Sequence, residues 1–262
     1  MAFIAVSLCC MAQAQVNIVS KKDKTSDFPV KTMKVVLPGE SFISLSLREA
    51  VKNTWTLSPY EFCTYDEFEA LKSSDGYYFM LVIRNSSPAE KGISFLTIVK
   101  GGEKKMEDML ELVTLPLCPS AFADGREDIF MPAILDVAQS YIEKSLSDGF
   151  KKIKTMLRKK PSSAGLVLSA EDLSSKIDSA YRVSVLSDVI KSDSEIASIM
   201  DNGDSGYAVA YVIAPSMPEK GASCWKMAFD ARTHSLYYFK KSKIGSGLDC
   251  GLTKKEIKQL MK

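Results

Sequence analysis

Two related stretches of this chain follow one another in the same order. Gly76-Tyr77-Tyr78-Phe79-Met80-Leu81-Val82-Ile83, with Pro88 and Lys91-Gly92 after it, returns as Gly206-Tyr207-Ala208-Val209-Ala210-Tyr211-Val212-Ile213, with Pro218 and Lys220-Gly221 after it. Upstream of each lies a short run, Glu67-Phe68-Glu69-Ala70-Leu71 and Glu195-Ile196-Ala197-Ser198-Ile199, opened by Thr64-x-x-Glu67 and Ser192-x-x-Glu195. In such a box the hydroxyl accepts from an early backbone N–H of the helix while the carboxylate reaches back to the cap. Matching caps, helices, strands and turns restrict the chain to two tandem copies of one folding unit. Coincidental α/β patterning is the alternative reading.

Each unit reads β-α-β-α-β-β-β-α, which gives an α/β (α+β) class with mixed sheets and helices packed against them. The first unit spans 31–160. Its strands are predicted at 33–37, 60–63, 77–85 and 93–99, with a further extended piece at 110–117. Its helices are predicted at 45–55, capped by Ser46-x-x-Glu49, and at 65–73. A long amphipathic helix follows over 128–159, with Pro132 in its first turns, where a missing N–H costs little. Residues 161–165, Pro-Ser-Ser-Ala-Gly, read as a linker. The second unit, 166–262, offers strands at 166–168, 183–186, 207–214, 224–229 and 236–240. Its helices are expected at 170–181 and 193–200, with a closing helix at 254–261 capped by Thr253-x-x-Glu256.

Residues 1–14 carry no charge, are apolar over 3–11, and end in Ala12-Gln13-Ala14, the small-x-small pattern of a cleaved signal peptide. The basic start typical of such a segment is missing, and a buried N-terminal strand is the competing reading. The apolar run is too short to span a bilayer. A lipid anchor fits poorly, because Leu8 rather than a small residue precedes Cys9. Residues 15–30 read as a flexible mature N-terminus. The expected location is therefore periplasmic or secreted, with no transmembrane segment.

The 34 basic residues nearly balance the 32 acidic ones, so no general attraction to nucleic acid is expected. The basic run Lys151, Lys152, Lys154, Arg158, Lys159, Lys160 reads as a solvated helix end whose cations complement the dipole, or else as an anion or membrane-surface patch. The aromatics of the first unit sit among Glu61, Asp66, Glu67 and Asp75, which favours core packing over base stacking.

Little points to catalysis. There is one histidine, His234, between two strands where a positive φ is often needed; a turn role is expected. No P-loop, dinucleotide fingerprint or Gly-x-Ser-x-Gly elbow is present, and neither catalytic residue, cofactor nor metal is implied. Of the cysteines outside 1–14, Cys63, Cys118, Cys224 and Cys250, none forms a Cys-x-x-Cys pair. A disulfide between Cys224 and Cys250 is expected as a possibility, tying the closing helix to the sheet, with two unrelated buried thiols as the alternative. Trp225, Met227 and Phe229 should face the core, and Cys224 and Lys226 the other, more exposed side.

The second unit resembles the amino-terminal domain of TolB and the related CsgG-type periplasmic fold. The strand at 183–186, the helix at 195–200, the strand at 206–213 and the hairpin at 230–239 carry this likeness. Those families often place Asp-x-x-Thr-Gly in that hairpin; Asp230 and Thr233 fit, and His234 stands at the glycine. The first unit is similar to exported Gram-negative envelope proteins through Trp55-x-x-x-Pro59-Tyr60-x-Phe62. The likeness implies a cell-envelope module for protein or small-ligand contacts and carries over no catalytic residue. The leading expectation is thus a non-enzymatic exported binding module, its partner an unknown envelope protein or small ligand. The rival is an enzyme or a nucleotide- or small-ligand-binding protein with an Asp/Glu/Lys/Tyr site in the inter-unit cleft. Cleavage after Ala14 should leave Gln15 as the first residue, which N-terminal sequencing of the exported protein would detect.

Overall fold

The central strands of the two repeats are apolar almost without a break because both of their faces are covered. In the computed structural model, which describes residues 20–37, 39–84, 87–120 and 125–262, two sheets are formed. The first contains β1 (Met33–Val36), β2 (Tyr60–Cys63), β3 (Tyr78–Arg84), β4 (Ile93–Lys100) and β5 (Leu110–Pro119), in the spatial order β2-β1-β3-β4-β5. The second contains β6 (Gly165–Val167), β7 (Tyr207–Ile213), β8 (Ser223–Asp230) and β9 (Leu236–Lys243), in sequence order. The helices are α1 (Lys21–Lys24), α2 (Phe42–Thr54), α3 (Tyr65–Leu71), α4 (Arg126–Asp148), α5 (Ser179–Val185), α6 (Asp193–Asp201) and α7 (Lys254–Met261). The fold is α/β with mixed sheets.

The two sheets share a pattern of pairing. β1 runs parallel to β3, as β6 does to β7, and each of those central strands is followed by antiparallel neighbours. Tyr78 opposes Lys100 and Ile83 opposes Phe95; Ala208 opposes Asp230 and Ile213 opposes Trp225, every residue 130 positions after its counterpart. The outer parallel strand β2 is answered in the second sheet by a single parallel bridge, Leu168 to Ile190. The boxes at Thr64, Ser192 and Thr253 form as read, with Glu67 N donating to Thr64 Oγ1 at 3.2 Å and Glu195 N to Ser192 Oγ at 3.3 Å.

Several boundaries differ from the sequence reading. Ser41, not Ser46, caps α2, so the helix begins at Phe42 and Ser46 lies buried within it. The stretch read as a helix over 170–181 is a 3-10 turn at Ala170–Asp172, then a bridge and a turn over 173–178, because Leu173 bridges to Leu252 and Ser174 N donates to the Leu252 carbonyl; only 179–181 are helical, as the start of α5. The strand read at 183–186 lies instead in and just after α5, which Asp178 caps; Val183 is 75% exposed, so its β-branched side chain has no sheet to enter. The long helix ends at Asp148, where Gly149 turns away at φ +83°, 11 residues short of the expected 159. Part of the N-terminal segment read as flexible is ordered: α1 forms, and Phe28 is fully buried, packing edge-on against Tyr78 at 4.7 Å.

The largest buried cluster draws on both sheets. Met33, Tyr78 and Phe95 contribute from one and Val209, Tyr211 and Phe229 from the other, with Phe130, Ile134 and Ile142 of α4 in the same cluster. The opposite faces have separate covers: Phe68 of α3 lies against Phe79 and Leu81, and Ile257 and Leu260 of α7 lie against Leu166 and Ala210. Alternation along β3 and β7 sends successive residues to these two sides.

At the N-terminus of α4 the two units are joined by a buried ion pair. Arg126 donates from Nη1 to Asp172 Oδ1 at 3.0 Å and from Nη2 to Oδ2 at 2.8 Å. Val212 N and Ser169 N donate to the same carboxylate at 2.9 and 3.1 Å. Burial pushes Asp172 up, and the guanidinium and the two backbone donors pull against it. With four donors aimed at its two oxygens, Asp172 is held as the carboxylate. The guanidinium also lies 5.0 Å from the Tyr211 ring, which stacks on Phe130 at 4.1 Å. Removing one partner of such a pair strands a buried charge. Asp172→Ala should therefore cost about 3–5 kcal/mol in urea unfolding, and Arg126→Met combined with Asp172→Leu should cost less than the sum of the single changes.

Candidate functional site

The β8–β9 hairpin is built around Asp230. Its Oδ1 accepts from Arg232 N at 3.1 Å and Thr233 N at 2.7 Å, and Oδ2 accepts from Tyr237 OH at 2.6 Å. The short polar side chain substitutes for backbone pairing in the turn, which is why Asp and Thr occupy 230 and 233. Burial raises Asp230, but these donors outweigh it and the carboxyl titrates below its ordinary value; Tyr237 is pushed up to about 12 by burial and by Asp230. His234 takes φ +52°, the turn role expected of it. The sequence did not disclose its partner. His234 Nδ1 lies 2.6 Å from Asp136 Oδ2 of α4, so the pair spans the two units.

Beside this pair runs a groove of about 730 Å³ between α4, the segment after it and the hairpin. Lys144 comes from α4, Arg158 from the segment, and His234 from the hairpin. Ser140, Thr155 and Thr233 add hydroxyls, and Glu143 one carboxylate. The wall made by 155–158 is part of the basic run. That run is not a helix end. Past Gly149 it forms a strap with a 3-10 turn at Ile153–Met156, where Ile153 and Leu157 pack on the core and Arg158 N donates to the Leu236 carbonyl at 2.9 Å. The lysines therefore complement no helix dipole; they stand on the outside of a strap whose apolar residues hold it down. A smaller cleft of about 300 Å³ lies where the two equivalent turns meet, with Gly92 pressed to Pro215.

The cysteines read as a possible bridge are brought together. Cys224 Sγ donates to the Cys250 carbonyl oxygen at 3.6 Å, and Cys250 packs against the small apolar cluster that holds Cys224. Both are thiols here, as are the buried Cys63 and Cys118. The expected exposure of Cys224 is reversed: it is 1% exposed and Lys226 beside it 5%, because α7 and the preceding loop cover this face. Trp225, Met227 and Phe229 do belong to the shared core. Gly251 makes the cover possible, since a Cβ there would sit 2.2 Å from the Leu173 backbone. Lys226 Nζ donates to the Gly251 carbonyl at 2.6 Å and to Glu256 Oε2 at 2.8 Å, and Lys240 Nζ donates to Glu256 Oε1 at 2.6 Å. Burial pushes the Glu256 carboxyl up, but the two lysines and the Thr253 backbone overcome it and hold it at about 2.

Among the described residues no group of three or more His, Cys, Asp or Glu side chains is disposed to hold a metal, and no helix is long and apolar enough to cross a membrane. Residues 1–14, read as a signal peptide, lie outside the described residues. No family model, curated protein or solved structure matches the chain. The helix read at 195–200, the strand read at 206–213 and the hairpin read at 230–239 form, and the strand read at 183–186 does not.

Because Glu256 titrates lower in the folded chain than unfolded, its contribution is complete above its unfolded pKa and disappears as pH falls toward the folded one. Stability should therefore decline from about pH 4.5 down to about pH 2. Urea midpoints taken across that range should fall less steeply for Glu256→Gln, which should also be the less stable protein at neutral pH.

Proposed function

We propose that this chain is an exported envelope protein that binds a small anionic, hydroxyl-bearing ligand, such as a phosphorylated or carboxylated sugar, in the groove between α4 and the β8–β9 hairpin. One observation carries this reading: basic side chains from three separate elements, Lys144, Arg158 and His234, line one groove that takes walls from both units. Convergent cations with hydroxyls around them suit a ligand that is charged at one point and polar elsewhere. Glu143 adds an acceptor for a ligand hydroxyl. The export half of the proposal rests on the apolar run over 3–11 and on Ala12-Gln13-Ala14. The likeness of the second unit to periplasmic TolB- and CsgG-type modules points the same way.

A second reading is favoured by the Asp136–His234 pair. A carboxylate on Nδ1 orients an imidazole so that Nε2 can exchange a proton, the geometry of a general base. An acid–base enzyme would use the same groove. The two readings part at His234: His234→Gln should weaken ligand binding by about tenfold, no more than loss of either other cation, in a binding protein and abolish turnover in an enzyme.

Titration calorimetry with hexose phosphates and uronic acids is the direct test. Binding should weaken as salt is raised. Lys144→Ala and Arg158→Ala should each cost about 1.4 kcal/mol, close to tenfold in Kd. Failure of every acidic sugar to bind, or an affinity indifferent to both substitutions, would overturn the proposal.

A further inference from the structure

We propose that Cys224 and Cys250 are a redox latch: a reversible disulfide that locks the loop before α7 onto β8 and is made and broken through Cys250. The inference does not depend on what the groove binds.

Three features of the geometry carry it. The two residues are already neighbours: Cys224 Sγ reaches the Cys250 carbonyl oxygen at 3.6 Å, and Cys250 packs against the cluster that holds Cys224. They differ in access: Cys224 is buried in a small apolar cluster with Ala222 and Ile244, and Cys250 is half-buried at its edge. And the loop bearing Cys250 has its own polar attachments, one to the same strand and one to the segment before α5. Lys226, two residues after Cys224, holds the Gly251 carbonyl, and Asp249 Oδ1 accepts from Ser175 N at 3.3 Å. Those contacts keep the two sulfurs together whether or not they are joined.

The electrostatics fit exchange chemistry. The neighbouring Cys250 side chain lowers the Cys224 thiol despite its burial, with Lys226 assisting, and Cys224 together with burial raises Cys250. Cys224 is therefore the thiol of the pair that ionises more readily. A donor disulfide reaches the half-buried Cys250 first. Cys250 hands its proton to the neighbouring Cys224 thiolate and attacks as a thiolate; as its sulfur bonds to one donor sulfur the donor S–S bond breaks, and the departing sulfur takes that proton from Cys224, which becomes a thiolate again. Cys224 then attacks the Cys250 sulfur and expels the second donor sulfur as a thiol. Two protein thiols are oxidised and one donor disulfide is reduced to two thiols. Reduction runs the same path backwards.

The bond closes a loop of 26 residues along the chain, from 224 to 250, and should raise Tm by roughly 6–12 °C through restriction of the unfolded chain. The test uses the full chain equilibrated in glutathione buffers of graded ratio. Intact mass should fall by two hydrogens as the buffer becomes oxidising, peptide mapping should give a Cys224–Cys250 cross-link, and Tm should rise in step. Cys250→Ser should lose both the mass change and the Tm response. Cys63→Ser with Cys118→Ser should keep them. Full alkylation of Cys224 and Cys250 in unfolded, fully oxidised protein would overturn the proposal, as would a cross-link that uses Cys63 or Cys118, or a Tm indifferent to the buffer. Since wild-type mass alone reads the bond, a poorly folding variant would not rescue a wrong assignment.

Discussion

The paired charges of Arg126 and Asp172 fix the relation between the two sheets. Arg126 is the first residue of α4, and Asp172 sits in the turn that follows β6. A cation at a helix N-terminus opposes the dipole, so this arginine is there for its partner. The planar fork meets both carboxylate oxygens, and its face rests on Tyr211, itself stacked on Phe130. The carboxylate spends its remaining acceptor capacity on Val212 N and Ser169 N, which lie on β7 and beside the turn. One side chain pair therefore links helix, turn and central strand. A buried pair of this kind adds little net stability over apolar packing, but it admits one geometry only. What it fixes is the direction in which α4 leaves the second sheet.

That direction decides where the groove lies. Asp136 is ten residues along α4 from the clamp and Lys144 eighteen, about 15 and 27 Å at the rise of an α-helix. A swing of about 6° at Arg126 would displace Lys144 by about a hydrogen-bond length. The Asp136–His234 contact acts as a second pin farther along the same helix. The units differ here: the helix after the first sheet is 23 residues long and its counterpart after the second is 8. The extra turns of α4 supply the groove's wall beside the second unit's hairpin, so a duplicated topology gives an unduplicated site.

How much of this the sequence disclosed depends on whether the deciding interactions were local. The boxes at Thr64, Ser192 and Thr253 are local, and they formed as read. The strands at Tyr78 and Tyr207 were legible because their apolar runs are long and bounded by glycine turns. Ser46-x-x-Glu49 matched the same rule and failed, since Ser41 stands one turn earlier and takes the cap first. The misreadings at 170–181 and 183–186 have a non-local cause: Leu173 is drawn to Leu252, some eighty residues away, and Val183 finds no strand to join. Alternation along β8 placed Trp225, Met227 and Phe229 correctly. It could not reveal that α7 covers the other face, so Cys224 and Lys226 were put at the surface when both are buried. The groove was the least legible feature, because Asp136 and His234 are 98 residues apart and neither belongs to a motif.

His234 shows how a local cost and a distant gain meet in one residue. The turn that Asp230 and Thr233 organise needs a left-handed residue at 234, and glycine would adopt it without strain. Histidine there gives up about 1 kcal/mol of backbone energy. It recovers this through a side chain that glycine lacks, by bonding Asp136 across the units. The backbone requirement aims the ring: with φ fixed at +52° and the hairpin held by Asp230, the imidazole reaches α4 from a set direction, with Nδ1 toward the carboxylate. Glycine would satisfy the turn alone and leave Asp136 without this contact. The strained residue therefore stands where its side chain joins the second unit to the helix of the first.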